Sequence, residues 1–148
     1  MRRADMLMVV AALSCGGDAG DSSAPIPEVA GRYQVFVTTI SGCDNDVSLI
    51  QPWAQGPLAV NQDGGSLSLD YGEDAVLTGS IGADGEFSVD GDLAWAGAQM
   101  NLSQDGTFAV NGADVELAAR FRNVVSVDEF ESNNCTLEAD IEATRISE

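Results

Sequence analysis

A chain of 148 residues is long enough to bury one sizeable core. Its formal charge of −18, from 24 acidic residues against 6 arginines and no lysine, argues against a basic patch for nucleic acid or for anionic lipid headgroups. Histidine is absent, which removes the commonest general base and the commonest transition-metal ligand together.

The chain opens with a positive start, Met1-Arg2-Arg3, followed by the unbroken apolar run Met6–Leu13 (MLMVVAAL). A spanning helix needs about 20 apolar residues, so this run is too short to cross a membrane and suits the hydrophobic part of a secretory signal. It ends at Ala12-Leu13-Ser14-Cys15. This stretch resembles the signal of bacterial lipoproteins, in which small residues lead to a cysteine that receives lipid on its sulfur. The resemblance implies cleavage before Cys15, residues 1–14 as signal peptide, and lipidation at Cys15. In that family an aspartate directly after the cysteine retains the protein at the inner membrane. Gly16 stands there instead, which implies the outer membrane or cell surface. A conventional signal cleaved after Ala24 is the alternative, with Pro25 directly beyond the cut.

Residues 15–28 then read as lipid anchor and flexible linker. Gly16–Glu28 (GGDAGDSSAPIPE) is made of Gly, Ser, Asp and Pro, which bury too little apolar surface to fold. Such a segment spans about 20 Å on average. Export also bears on the remaining cysteines, because an oxidising compartment favours a bond between Cys43 and Cys135.

A single domain is expected over 29–148. Its first strand is Arg32–Ile40 (RYQVFVTTI) and its last is Thr136–Arg145 (TLEADIEATR). Antiparallel pairing with Cys43 opposite Cys135 sets Val35 against Ala143, Val37 against Ile141, Thr39 against Ala139 and Ser41 against Leu137 on one face. Phe36, Thr38 and Ile40 then meet Glu142, Asp140 and Glu138 on the other. One face is mostly apolar and the other mostly polar, as the two-residue period of a strand requires. First and last strands are therefore expected to be neighbours.

Between them lie short alternating runs: SLSLDYG, AVLTGSI, EFSVDG, QMNLSQ, TFAVNG and DVELAARF. Asp63-Gly64, Asp84-Gly85 and Asp105-Gly106 punctuate them at equal intervals, each a hairpin signal. The pattern predicts an all-β fold, an antiparallel up-and-down meander of about eight or nine strands that closes into a soluble barrel, with a sandwich as the alternative. Gly31-Arg32-Tyr33 also resembles the Gly-x-Trp start of lipocalin and avidin-like barrels, with Tyr for Trp. In lipocalins an arginine from a late strand packs over that aromatic. By the pairing above Arg145 falls opposite Tyr33, so the resemblance implies a barrel-end lid from these two.

Chemistry is sparse. Asp44-Asn45-Asp46 and Asp90-Gly91-Asp92 place carboxylate pairs on turns, but no segment has the spacing of a calcium-binding loop. No catalytic residue, metal ligand set or cofactor motif is legible, and the expectation is that the protein is not an enzyme. Trp53 and Trp95 lie in loop-like stretches, where they either contact a ligand at the barrel mouth or cap the core. The leading expectation is a lipid-anchored envelope protein displaying a small barrel, with a small apolar molecule bound inside as one reading. A non-binding structural or adhesive envelope component with a solid core is the rival, and a secreted enzyme is the third. The membrane, through the lipid anchor, is the expected partner; nucleic acid is not.

Overall fold

Alternation in the sequence becomes alternation of burial: in the first strand Tyr33 and Val35 are buried while Arg32 and Phe36 are exposed. The computed structural model describes residues 24–46, 49, 57–72, 74–95, 97–127 and 134–147. Within them the strands are β1 (Gly31–Ser41), β2 (Pro57–Asp63), β3 (Ser66–Asp70), β4 (Val76–Ile81), β5 (Glu86–Trp95), β6 (Ala98–Asn111), β7 (Asp114–Ser126) and β8 (Cys135–Ser147). Each pairs antiparallel with the next in sequence, and β8 pairs with β1 to close a barrel in the order β1 to β8. The expected meander and its closure are both present, and closure leaves no open sheet edge.

Two details depart from the sequence reading. The register of β1 on β8 holds from Tyr33↔Arg145 through Val35↔Ala143 to Val37↔Ile141, then shifts by one, so that Thr39 faces Asp140, Ile40 faces Ala139 and Ser41 faces Glu138. The cause is a bulge at Thr38. Asp140 holds it: the Thr38 hydroxyl donates to the Asp140 carbonyl at 3.2 Å, and the Thr39 hydroxyl donates to Asp140 Oδ2 at 2.6 Å. The extra residue turns Ile40, expected on the outer face, in against the core.

The second departure is Asp105-Gly106. It is no turn, because QMNLSQ and TFAVNG are one continuous strand, β6, paired through Asp105 and Gly106 with β5 on one side and β7 on the other. Gly106 is there for space: a Cβ on it would lie 2.3 Å from the Ala118 carbonyl oxygen and 2.5 Å from Ala119 Cβ. Asp90-Gly91-Asp92 likewise lies inside β5, so its carboxylates sit on a strand and not on a turn. Asp63-Gly64 and Asp84-Gly85 do mark hairpins.

Inward side chains fill the barrel. Tyr33, Leu58, Leu69, Leu77, Val115 and Leu137 have no exposed surface, and Phe87, Phe108 and Phe121 pack among them. Eight strands enclose a space just wide enough for side chains to occupy.

The meander sorts the connections between two ends. The entering N-terminal segment, the β2–β3, β4–β5 and β6–β7 turns and the end of β8 share one end. The last residues of β1, β3, β5 and β7 and the first residues of β2, β4, β6 and β8 share the other.

Candidate functional site

At the entry end, the chain leading into β1 lies against the barrel. Val29 is fully buried, and its N–H donates to Gln62 Oε1 at 2.8 Å. Gln62 Nε2 donates to the carbonyls of Pro27 at 2.9 Å and Gly64 at 3.0 Å. One glutamine on β2 thus ties the incoming segment to the β2–β3 turn, and the hold begins at Pro27, inside the stretch expected to be linker.

Tyr33 and Arg145, which face each other across β1 and β8, both lie at this end. The Tyr33 hydroxyl donates to the Val29 carbonyl at 2.6 Å, and its ring meets Phe108 edge-on at a centroid distance of 5.8 Å. Arg145 donates from Nη2 to the Ala113 carbonyl at 2.8 Å and from Nη1 to the Ala30 carbonyl at 3.3 Å, spanning from the β6–β7 turn to the incoming chain. Burial pushes the Tyr33 phenol up to about 12, against the opposing pull of the Arg145 charge. This end is closed by interlocking hydrogen bonds.

The opposite end carries the sulfurs. Cys43 and Cys135 are joined, with Cα atoms 5.2 Å apart and a separation of 92 positions in sequence. Cys135 opens β8, while Cys43 lies in a 3-10 turn (Cys43–Asn45) just past β1, so the bond is not between two paired strand positions. Cys43, Asp44 and Asn45 all have positive φ, and this backbone places the thiol.

Sequence reasoning missed the polar groups below this end. Gln104 and Asn123 point inward and have no exposed surface. The Tyr71 hydroxyl crosses the interior to donate to Gln104 Oε1, and burial holds the Tyr71 phenol well above its ordinary range. Asn123 Nδ2 donates to the Leu49 carbonyl at 3.2 Å and touches Met100 Sδ at 3.5 Å, tying Leu49 to β7. Gln104 Nε2 and Asn123 Oδ1 have no partner among the described residues. A signal existed, since both residues occupy the inward parity of runs that are otherwise apolar: Met100, Leu102, then Gln104, and Leu117, Ala119, Phe121, then Asn123.

The other expected site residues give less. Cys15 and Trp53 lie outside the described residues. Trp95 ends β5 opposite Ala98, at the same end as the disulfide, and its side chain lies outside the described ones. Among the described residues no group of three or more acidic or sulfur ligands converges for a metal ion, and no helix is long and apolar enough to cross a membrane.

The chain matches no protein-family model, no curated protein and no solved structure.

Outside the barrel the acidic side chains follow a rule. In the paired registers no Asp or Glu stands opposite another: Asp90 lies between Thr78 and Ser103, Asp105 between Ser88 and Arg120, and Asp140 between Thr39 and Arg120. Interleaving with hydroxyls and arginines keeps a heavily charged wall from repelling itself. Asp140 gains most. The Thr39 hydroxyl, then Arg120 at 3.3 Å, hold its carboxyl below the usual carboxylate range.

Proposed function

We propose that this protein is an exported, lipid-anchored component of a bacterial cell envelope that displays a solid, disulfide-stapled β-barrel. The observation that carries the reading is the placement of the chain at the two ends. The N-terminal segment is fastened at one end from Pro27 to Ala30, and the disulfide closes the other. A lipid on Cys15 would therefore hold the entry end toward the membrane and leave the disulfide end facing away. Stable anchoring of this kind needs two or more acyl chains, each buried methylene contributing about 0.8 kcal/mol. The bond between Cys43 and Cys135 is in keeping with an oxidising compartment.

Of the two envelope roles, the non-binding one has the better support. Among the described residues the inward side chains from Tyr33 at one end to Leu137 at the other are buried against one another, which leaves an apolar guest little surface to meet there.

The test is fractionation of the full-length chain expressed in a diderm bacterium. Wild-type protein is expected in the outer-membrane fraction, with a diacylglyceryl mass on its first residue, and Cys15→Ser in the soluble fraction. Membrane retention of Cys15→Ser, or an unmodified Cys15 in the wild type, overturns the anchor. Native mass spectrometry of the detergent-free domain separates the two envelope roles: a co-purified lipid mass restores the apolar-ligand reading.

A further inference from the structure

All four arginines of the barrel lie on three adjacent strands: Arg32 on β1, Arg120 and Arg122 on β7, and Arg145 on β8. From Tyr33 to Ala119 the chain contains no arginine or lysine. Strands β2 to β6 therefore form an outer wall whose charged side chains are all carboxylates, among them Asp63, Asp70, Glu86, Asp90, Asp92 and Asp105. Both ion pairs among the described residues, Arg120–Asp140 and Arg122–Glu138, are on the other side.

The same wall is hollowed. One depression of about 540 Å³ lies over Ser66, Ser68 and Thr78, rimmed by Asp63. A second, of about 580 Å³, lies over Ser80, Ser88 and Thr107, rimmed by Glu86 and Asp105. They adjoin where Ser66 pairs with Ser80. A third, of about 330 Å³, shares Asp105 and Gly106 with the second but lies off this wall, against Arg120 on β7 and Asp140 on β8. The first two make a shallow furrow running across the strands from β2 to β6, roughly 19 Å at about 4.8 Å per strand. Small side chains make its floor. Gly79 and Gly106 line it where the neighbouring backbone leaves no room for a Cβ, which would lie 1.9 Å from the Ser88 carbonyl oxygen and 2.3 Å from that of Ala118.

We propose that this furrow on the β2–β6 wall docks an extended, lysine- or arginine-rich polypeptide segment of a partner protein. Hydroxyl and carboxylate oxygens along the floor and rims accept hydrogen bonds from ammonium and guanidinium groups, and the interleaved spacing offers successive sites along an extended chain. Charge excludes the competing occupants. A second copy would bring its own net charge of −18 against the same wall, and nucleic acid and anionic headgroups are repelled in the same way. The furrow is independent of the tether, and so is its test.

Binding of fluorescein-labelled octalysine to the disulfide-intact domain, followed by anisotropy at physiological ionic strength, decides it. The wall variant Glu86→Gln/Asp90→Asn/Asp105→Asn is compared with Asp114→Asn/Glu116→Gln/Glu138→Gln, which removes the same charge from β7 and β8. All six positions are on the outer face, and thermal unfolding confirms that both proteins fold. The wall variant is expected to weaken binding by about tenfold and the control by no more than about threefold. Equal weakening in both would show attraction to net charge alone and overturn the proposal. So would unchanged affinity in the wall variant, or tighter binding of an uncharged oligosaccharide than of octalysine.

Discussion

The Tyr33 hydroxyl donates to the carbonyl of Val29, four residues earlier, and so fastens the chain's entry into the barrel from within the first strand. Both groups are buried, so loss of the hydroxyl leaves a carbonyl without its partner. Tyr33→Phe is expected to lower unfolding free energy by about 1–2 kcal/mol in urea denaturation. A change within error would mean that Val29 finds another donor.

Alkaline titration reads the same pair. The chain has two tyrosines, Tyr33 and Tyr71, and burial raises both phenols, Tyr33 to about 12. A raised folded value means that the native state keeps its protons longer. The stabilisation is full below the unfolded value near 10 and is lost as pH climbs through the folded one. Absorbance at the tyrosinate band should stay flat in native protein past pH 10 and rise together with unfolding, while denatured protein titrates near 10.

Arg145 bridges two carbonyls that belong to different parts of the chain, Ala30 and Ala113. Arg145→Met keeps the apolar stem and removes the donors. An expected loss of about 1–2 kcal/mol follows from two charged hydrogen bonds, one to the partly buried Ala30 carbonyl and one to the exposed Ala113 carbonyl. The Tyr33 phenol should move still higher, since the opposing charge is gone. An unchanged tyrosine titration would separate the two residues.

The disulfide closes a loop of 92 residues, for which the chain-entropy relation gives about 4–5 kcal/mol. Cys43→Ser/Cys135→Ser should lose stability of that order while retaining the β-sheet circular dichroism signal, because β1 and β8 remain hydrogen-bonded along their length. A loss below about 1 kcal/mol would point to a denatured state that stays compact without the bond.

Asp140→Asn tests the outer wall. The Asp140 carboxyl is held below its usual range by Thr39 and Arg120. Its contribution is complete above the unfolded carboxylate value and fades as pH falls through the lower folded one. The variant should be slightly less stable than wild type at pH 7, and the difference should shrink below about pH 4. A difference independent of pH would assign the effect to geometry at the Thr38 bulge.

Gly106→Ala places a methyl group against the backbone of β7, and a cost of about 1–3 kcal/mol is expected from overpacking. Gly64 has no atom within 4 Å of the corresponding position and a φ of +58°, so only local backbone strain opposes alanine there. Thermal unfolding should rank Gly106→Ala as the more damaging.

The amino-acid sequence by itself determined the alternation of inward and outward residues, the closure of first strand on last, the approach of Cys43 to Cys135 and the pairing of Tyr33 with Arg145. Each follows from a two-residue period and its match between two segments, which is local information read twice. Only the tertiary structure decided what glycine does at 106, where curvature needs a missing Cβ and not a turn. The bulge at Thr38 was equally hidden, because it depends on two hydroxyls meeting one aspartate from β8. Gln62, Gln104 and Asn123 each have a partner 33 to 74 residues away, and that distance in sequence erases any short-range pattern. The furrow arose the same way: serines and threonines that read singly as ordinary outer positions line up only when five strands lie side by side.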